Sequence, residues 1–270
     1  MWPEVATDFG ALEPGWITAK ALFADKAAIA EYLDYEGSFH AGTDRKTCAA
    51  AMMADYSYML SMATVPLFAG FAIVPDLSPA HVALKFYTTP LEHDGLSFEV
   101  RRAHVRFLSP AFFRGANGPA EEVLCDLYRR AIETHFDPLV KRLHGATGLS
   151  RSALWRLVAD SIAGRFLDAG RRFDRLEPAK ASAMTILKSP GSPLDNRQLH
   201  YFDLTVTDGG RREISRTFRA RGGCCRYYTV EGGALCSTCV LNNPGKRDEQ
   251  LRRGMRRRLG MTADTSSGAD

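Results

Sequence analysis

Four of the chain's six cysteines fall within sixteen residues, in the stretch GGCCRYYTVEGGALCSTCVL over 222–241. They stand as Cys224-Cys225, ten further residues, then Cys236-x-x-Cys239. Thiolates grouped in this way bind metal or do redox chemistry. A structural zinc site usually takes two Cys-x-x-Cys knuckles, each aiming two thiolates at one ion. Only the second half of this group has that form, because adjacent cysteines make no knuckle. A [2Fe–2S] cluster asks less, since its two irons are separate attachment points and each needs only two thiolates. The pairs Gly222-Gly223 and Gly232-Gly233 supply the backbone freedom that wrapping a cluster requires. Zinc stays open on the residues alone. So does a dithiol at Cys236 and Cys239, although the thioredoxin-like form belongs in a βαβ unit, and the sequence gives no sign of one.

The spacing C-C-x10-C-x2-C near the C-terminus, after a basic strand and before Val240-Leu241, resembles the FhuF-type ferric siderophore reductase family. The Met- and Ala-rich stretch running to VPLFAGFAI, and LSRSALWRLVADSI around Trp155, resemble it more loosely. The resemblance implies a [2Fe–2S] cluster on Cys224, Cys225, Cys236 and Cys239. It also implies a cytoplasmic one-electron reduction of a ferric siderophore, of hydroxamate type, releasing Fe²⁺. The chemistry is consistent: hard oxygen ligands hold Fe²⁺ far more weakly than Fe³⁺. The implied partners are the ferric siderophore and a ferredoxin-like protein donor, with no nucleic acid. Two alternatives remain: a zinc-stabilised nucleic-acid-binding protein, and a siderophore-binding protein whose cluster is only structural. Arg219, Arg221 and Arg226 flank the first cysteine pair and are candidates to stabilise the cluster, face the siderophore or dock the donor.

The rest of the chain must position these residues. ADKAAIAEYLDY, 24–35, reads as a short helix. Residues 45–74 are rich in Ala and Met, and no charge occurs from Tyr56 to Pro75. With Pro66 and Gly70 inside it, this stretch reads as a buried helix pair broken at Pro66 rather than a membrane span. Segments 81–88 and 96–108 alternate in polarity around EHDG and read as a β-hairpin. Gly118-Pro119 opens a helix, Pro138 starts another that ends near Gly145, and a third spans 151–167 with Trp155, Val158, Ile162 and Phe166 on one apolar stripe. Residues 199–207 and 212–220 form a second hairpin around Asp208-Gly209-Gly210. Together these predict an α+β fold: a helical and antiparallel-sheet platform over 1–210, then a small basic segment over 211–260 and a disordered tail over 261–270; the resemblance implies that the platform holds the siderophore and the segment binds the cluster.

Composition narrows the class. The chain has 270 residues, 45% of them apolar, enough for a sizeable core. The acidic N-terminus lacks the basic and apolar regions of a signal peptide, so a reducing cytoplasm is expected. The net charge of +4 is uneven: residues 211–258 hold thirteen Lys and Arg against four acids. The most basic run, KRDEQLRRGMRRRLG over 246–260, reads as a solvated helix end, an attractor of anionic partners, or a peripheral contact with the inner face of the cell membrane. Cys48 and Cys125 sit on apolar helical patterns as core residues. The seven histidines form no ligand pair, and no G-x-G-x-x-G fingerprint follows a strand.

Overall fold

The computed structural model describes residues 6–93, 96–114, 121–207 and 213–260. Its elements follow the order β1 (Thr7–Phe9), β2 (Ile17–Thr18), α1 (Ala19–Ala24), α2 (Lys26–Gly37), α3 (Arg45–Phe71), β3 (Ile73–Pro75), β4 (Val82–His93), β5 (Leu96–Phe107), β6 (Phe112–Arg114), α4 (Glu121–Thr147), α5 (Arg151–Arg172), α6 (Leu176–Leu187), β7 (His200–Thr207), β8 (Glu213–Ala220) and α7 (Pro244–Arg258). The fold is α+β, as expected.

At the centre lies α3, buried nearly all round, which suits a helix made largely of Ala, Met and other apolar residues. Asp44 caps it by accepting from the Thr47 backbone N–H at 2.7 Å. The expected break at Pro66 does not occur. Proline there removes one backbone donor, to the Met62 carbonyl, at a cost of about 3 kcal/mol. Val65 and Phe68 beside it are buried, and their packing outweighs that loss. The same holds at Pro138, where α4 runs on through the buried Phe136, Leu139 and Val140 instead of starting anew. The third expected helix is α5, which continues past 167 to Arg172. Trp155 is core, 6.5 Å from the Phe136 ring. Cys48 and Cys125 are buried thiols. The sequence reading assigns no helix to 176–187, where α6 packs beside α5.

The first hairpin forms with β4 antiparallel to β5, Val82 opposite Phe107 and His93 opposite Leu96. With β1 and β2 it makes a sheet of order β1-β5-β4-β2, in which β1 runs parallel to β5. Ala103, Val105 and Phe107 point into the core, alternating with outward Arg102, His104 and Arg106. The tips of both hairpins, at 94–95 and 208–212, the opening at Gly118-Pro119 and the tail from 261 lie outside the described residues.

The second hairpin pairs β7 with β8, His200 opposite Ala220. Leu204 and Val206 of β7 form a small second core with Leu251 and Met255 of α7. The basic run is therefore a helix whose apolar side is turned to the hairpin. Asn243 caps it and Pro244 is its first residue. No helix among the described residues is long and apolar enough to cross a membrane.

Candidate metal centre

The four cysteines lie on the loop between β8 and α7, and the fold brings them together. Cys225 shares a hydrogen bond with Cys236, and Cys224 shares one with Cys239. Each adjacent cysteine is thus matched with one from the Cys-x-x-Cys turn, which the Cys236 carbonyl closes by accepting from the Cys239 N–H at 2.9 Å. The thiols lie as two hydrogen-bonded pairs close enough that Cys225 acts on Cys224 and Cys239 on Cys236.

Backbone donors surround the sulfurs. The Arg226 N–H points at Cys224 Sγ at 3.3 Å, and the Leu241 N–H at Cys239 Sγ at 3.5 Å. The Tyr227 N–H serves Cys225 in the same way. In each case the donor sits two residues after the sulfur it serves. Hydrogen bonds of this kind stabilise thiolate and tune a cluster's potential. The hydrogen bond from Cys236, followed by those from Tyr227 and Arg221, holds the Cys225 thiol well below the usual cysteine value. Its partner Cys236 is raised by that same shared proton and by burial. Burial raises Cys224. Cys239 is buried, and the other three are half-buried, so one edge of the site opens to solvent. Soft thiolate donors in two pairs, with N–H groups already aimed at sulfur, fit a [2Fe–2S] cluster.

Two residues hold the loop to the platform. Asp160 of α5, 2% exposed, accepts from the Gly222 N–H at 2.8 Å, the Gly223 N–H at 3.0 Å and Arg221 Nε at 3.2 Å. Arg221 in turn places Nη1 3.4 Å from Cys236 Sγ. Burial works against its charge, but Asp160, Cys236 and Cys225 outweigh it and hold its pKa above the usual arginine value. Arg219 donates to the Asp160 carbonyl beneath. Asp160 is missing from the sequence reading, and a chain position some sixty residues from the cysteines gives little reason to pick it. The available signal was an acid beside Ala159, Ala163 and Gly164 on a helix face, a set of small residues that lets another chain segment come close.

Two expectations change here. Gly222 and Gly223 are not in the left-handed region. They are glycines because a Cβ on Gly222 would collide with Asn196 Oδ1, and one on Gly223 would stand 3.0 Å from the Arg156 backbone. Of the four glycines only Gly232, at φ 71°, takes the left-handed conformation, which Arg226 also adopts at φ 61°. Arg226 sends its guanidinium away from sulfur, to Asp44 Oδ2 at 2.6 Å and Thr47 Oγ1 at 3.1 Å at the start of α3. It ties down the other side of the loop, where Thr229 meets Thr47 and Tyr227 meets His40.

Residues 221–241 match the FhuF 2Fe-2S C-terminal domain. The cofactor is therefore a [2Fe–2S] cluster, and the zinc reading falls away. The matched FhuF segment begins at Arg221, the residue that bridges Asp160 to Cys236, and ends just past the last cysteine. No curated protein and no solved structure matches the chain.

Proposed function

We propose that this protein is a ferric siderophore reductase, with Cys224, Cys225, Cys236 and Cys239 as the ligands of its cluster. The substrate is Fe³⁺ held by an oxygen-donor chelate of hydroxamate type, and the product is Fe²⁺, which such a chelate releases. The reaction lies in the cytoplasm, and the reducing electron comes from a ferredoxin-like protein. The observation that carries the reading is the meeting of the four thiols as two pairs inside the FhuF 2Fe-2S segment, with N–H groups on three of the sulfurs. A [2Fe–2S] cluster bound there supplies electrons one at a time, matching the single electron between Fe³⁺ and Fe²⁺.

The chain's own residues set the conditions. Asp160 fixes the loop through Gly222, Gly223 and Arg221. Arg221 offsets thiolate charge. The partial exposure of Cys224, Cys225 and Cys236 keeps the outer edge of the site within reach of a docked chelate. Residues 1–210 present the surface on which the chelate rests. No proton transfer or nucleophile is needed, because the step makes and breaks no covalent bond in the protein.

The test is anaerobic purification followed by visible spectroscopy with iron and sulfide analysis. About two irons and two sulfides per chain, bleaching with dithionite and recovering on addition of a ferric hydroxamate, support the proposal. A cluster that, once reduced, stays reduced in the presence of every ferric chelate supplied would leave only a structural role and refute it. Cysteine-to-serine replacement at each of the four positions is expected to lose most of the iron.

A further inference from the structure

Helix α7 forms one wall of a groove beside the cysteine loop. The cavity, about 450 Å³, is lined by Arg216 and Phe218 of β8, Ser237 of the loop, and Met255, Arg257 and Arg258 of α7. Its base is apolar and its walls are cationic. Arg216 lies over the Phe218 ring, 5.5 Å from the guanidinium carbon to the centroid. Burial and the nearby charges of Arg171 and Arg258 outweigh the opposing charge of Asp168 and hold the Arg216 pKa below the usual arginine value, so positive groups crowd one another here. Two cations of α7 are paired in place, Arg247 with Asp248 at 2.8 Å and Arg253 with Glu249 at 3.0 Å. Among the described residues no salt bridge engages Arg216, Arg252, Arg256, Arg257 or Arg258.

Crowded cations without salt-bridge partners destabilise a fold. The helix dipole accounts for part of the set, since Arg256, Arg257 and Arg258 occupy the last turn. It does not account for Arg252 in the preceding turn or for Arg216 on a strand. Such a field attracts an acidic body. The fifteen residues of α7 extend the charge over roughly 22 Å, more than a small ferric chelate can cover. That length suits the small, charge-steered interfaces of electron-transfer proteins, which stay under about 1,200 Å². The apolar base favours a protein over a phosphate backbone, because protein interfaces place apolar contacts inside a polar rim. Ser237 stands between Cys236 and Cys239 in the chain, so a body seated in the groove sits next to the thiols.

We propose that the groove between α7 and β8 docks an acidic one-electron carrier protein of the ferredoxin class. The reduced carrier loses one electron and leaves oxidised, and one Fe³⁺ of the chelate becomes Fe²⁺. No bond forms and no proton moves in the docking step. The fate of the electron rests on the reductase reading, but the docking does not.

The test titrates the cluster-loaded full chain with an oxidised acidic [2Fe–2S] ferredoxin by calorimetry, at low and at high salt. Saturable binding is expected. It should weaken about tenfold or more with salt and with the charge reversal R257E/R258E. The neutral pair R257Q/R258Q should fall between, and circular dichroism checks that both variants fold. Absence of binding, or binding indifferent to salt and to both variants, overturns the proposal. Loss of short duplex DNA binding in R257E/R258E, with ferredoxin never bound, assigns the groove to phosphate backbones and overturns it too. If R257E/R258E slows dithionite-driven chelate reduction as much as ferredoxin-driven reduction, the groove holds the chelate and the proposal fails. Salt-sensitive ferredoxin binding without reduction of any ferric chelate upholds the docking site and refutes the reductase reading alone.

Discussion

Replacing Asp160 should release the cysteine loop from the body of the protein. Its carboxylate is nearly sealed from solvent and satisfies two backbone N–H groups and one guanidinium. Asp160→Ala leaves the two glycine N–H groups without a partner and the Arg221 guanidinium without its carboxylate, facing Cys236 Sγ. A buried unsatisfied donor costs about 1–3 kcal/mol, and breaking a buried ion pair by removing one member costs about 3–5 kcal/mol. The contributions overlap, so a total of about 5 kcal/mol is expected, as much as the whole stability of many domains. The loss need not unfold everything. The α3–α5 core does not depend on the loop, so the cheapest response is local opening of 221–241. Asp160→Asn keeps one acceptor oxygen but turns an amide donor toward other donors, and about 3 kcal/mol is expected. The assay is urea unfolding of the metal-free protein under reductant, with hydrogen exchange of the loop amides, then iron and sulfide content after loading. The amides of Gly222 and Gly223 should lose protection in both variants, and the Ala variant should hold little iron. Unfolding within about 1 kcal/mol of the parent, with full cluster content and unchanged exchange at those glycines, would refute the anchoring role.

Arg221→Gln should lower the midpoint potential of the loaded protein by tens of millivolts, because a positive charge beside Cys236 favours the more negative, reduced state. Arg226→Gln should leave the potential where it is, its guanidinium being engaged with Asp44 and Thr47, and should instead lower the thermal midpoint; protein-film voltammetry of the two variants separates these roles. His135 is fully buried between the Tyr56 hydroxyl and the Leu77 carbonyl, and burial pushes its pKa down to about 4. The unfolded chain binds this proton more readily, so the contribution of His135 is full above pH 6.5 and is lost as pH falls toward 4, by roughly 3 kcal/mol; a parent and a His135→Gln variant showing equal pH slopes in urea unfolding would contradict this. Burial, with Asp55 adding to it, raises the Glu36 carboxyl to about 8. Its cost therefore grows as pH rises through 4.5–8, and Glu36→Gln should stabilise the protein at pH 8 by at most about 3 kcal/mol, read as a rise in the chemical midpoint relative to pH 5.

The cysteine group was legible because its members are close in sequence and fall in the FhuF 2Fe-2S segment. The residues that hold it in place were not. Asp160 is 62 residues from Gly222, and no local pattern links a helical acid to a distant glycine amide. The strands and most helices followed from periodicity, which reports the buried face directly. Pro66 and Pro138 misled because the rule against proline in helices is local. Whether a lost backbone bond ends a helix depends on how much neighbouring side chains bury, and Val65, Phe68, Phe136 and Leu139 decide that only once the core exists. Arg226 shows the limit of adjacency. It follows Cys225 directly, yet its side chain serves α3, while Arg221, three residues before the first cysteine, reaches a sulfur.

The place of Asp160 in the chain also sets an order of manufacture. The carboxylate leaves the ribosome before the glycines it holds, and at about 5–20 residues per second the interval is roughly 3–12 seconds. In that time α5 can pack against α3 and bury the acid beside a gap shaped for the loop. The cysteines then arrive at a finished seat, before α7 is made. Iron and sulfide would enter last, after translation, and a chain stalled before α7 would already own the anchor for its cofactor.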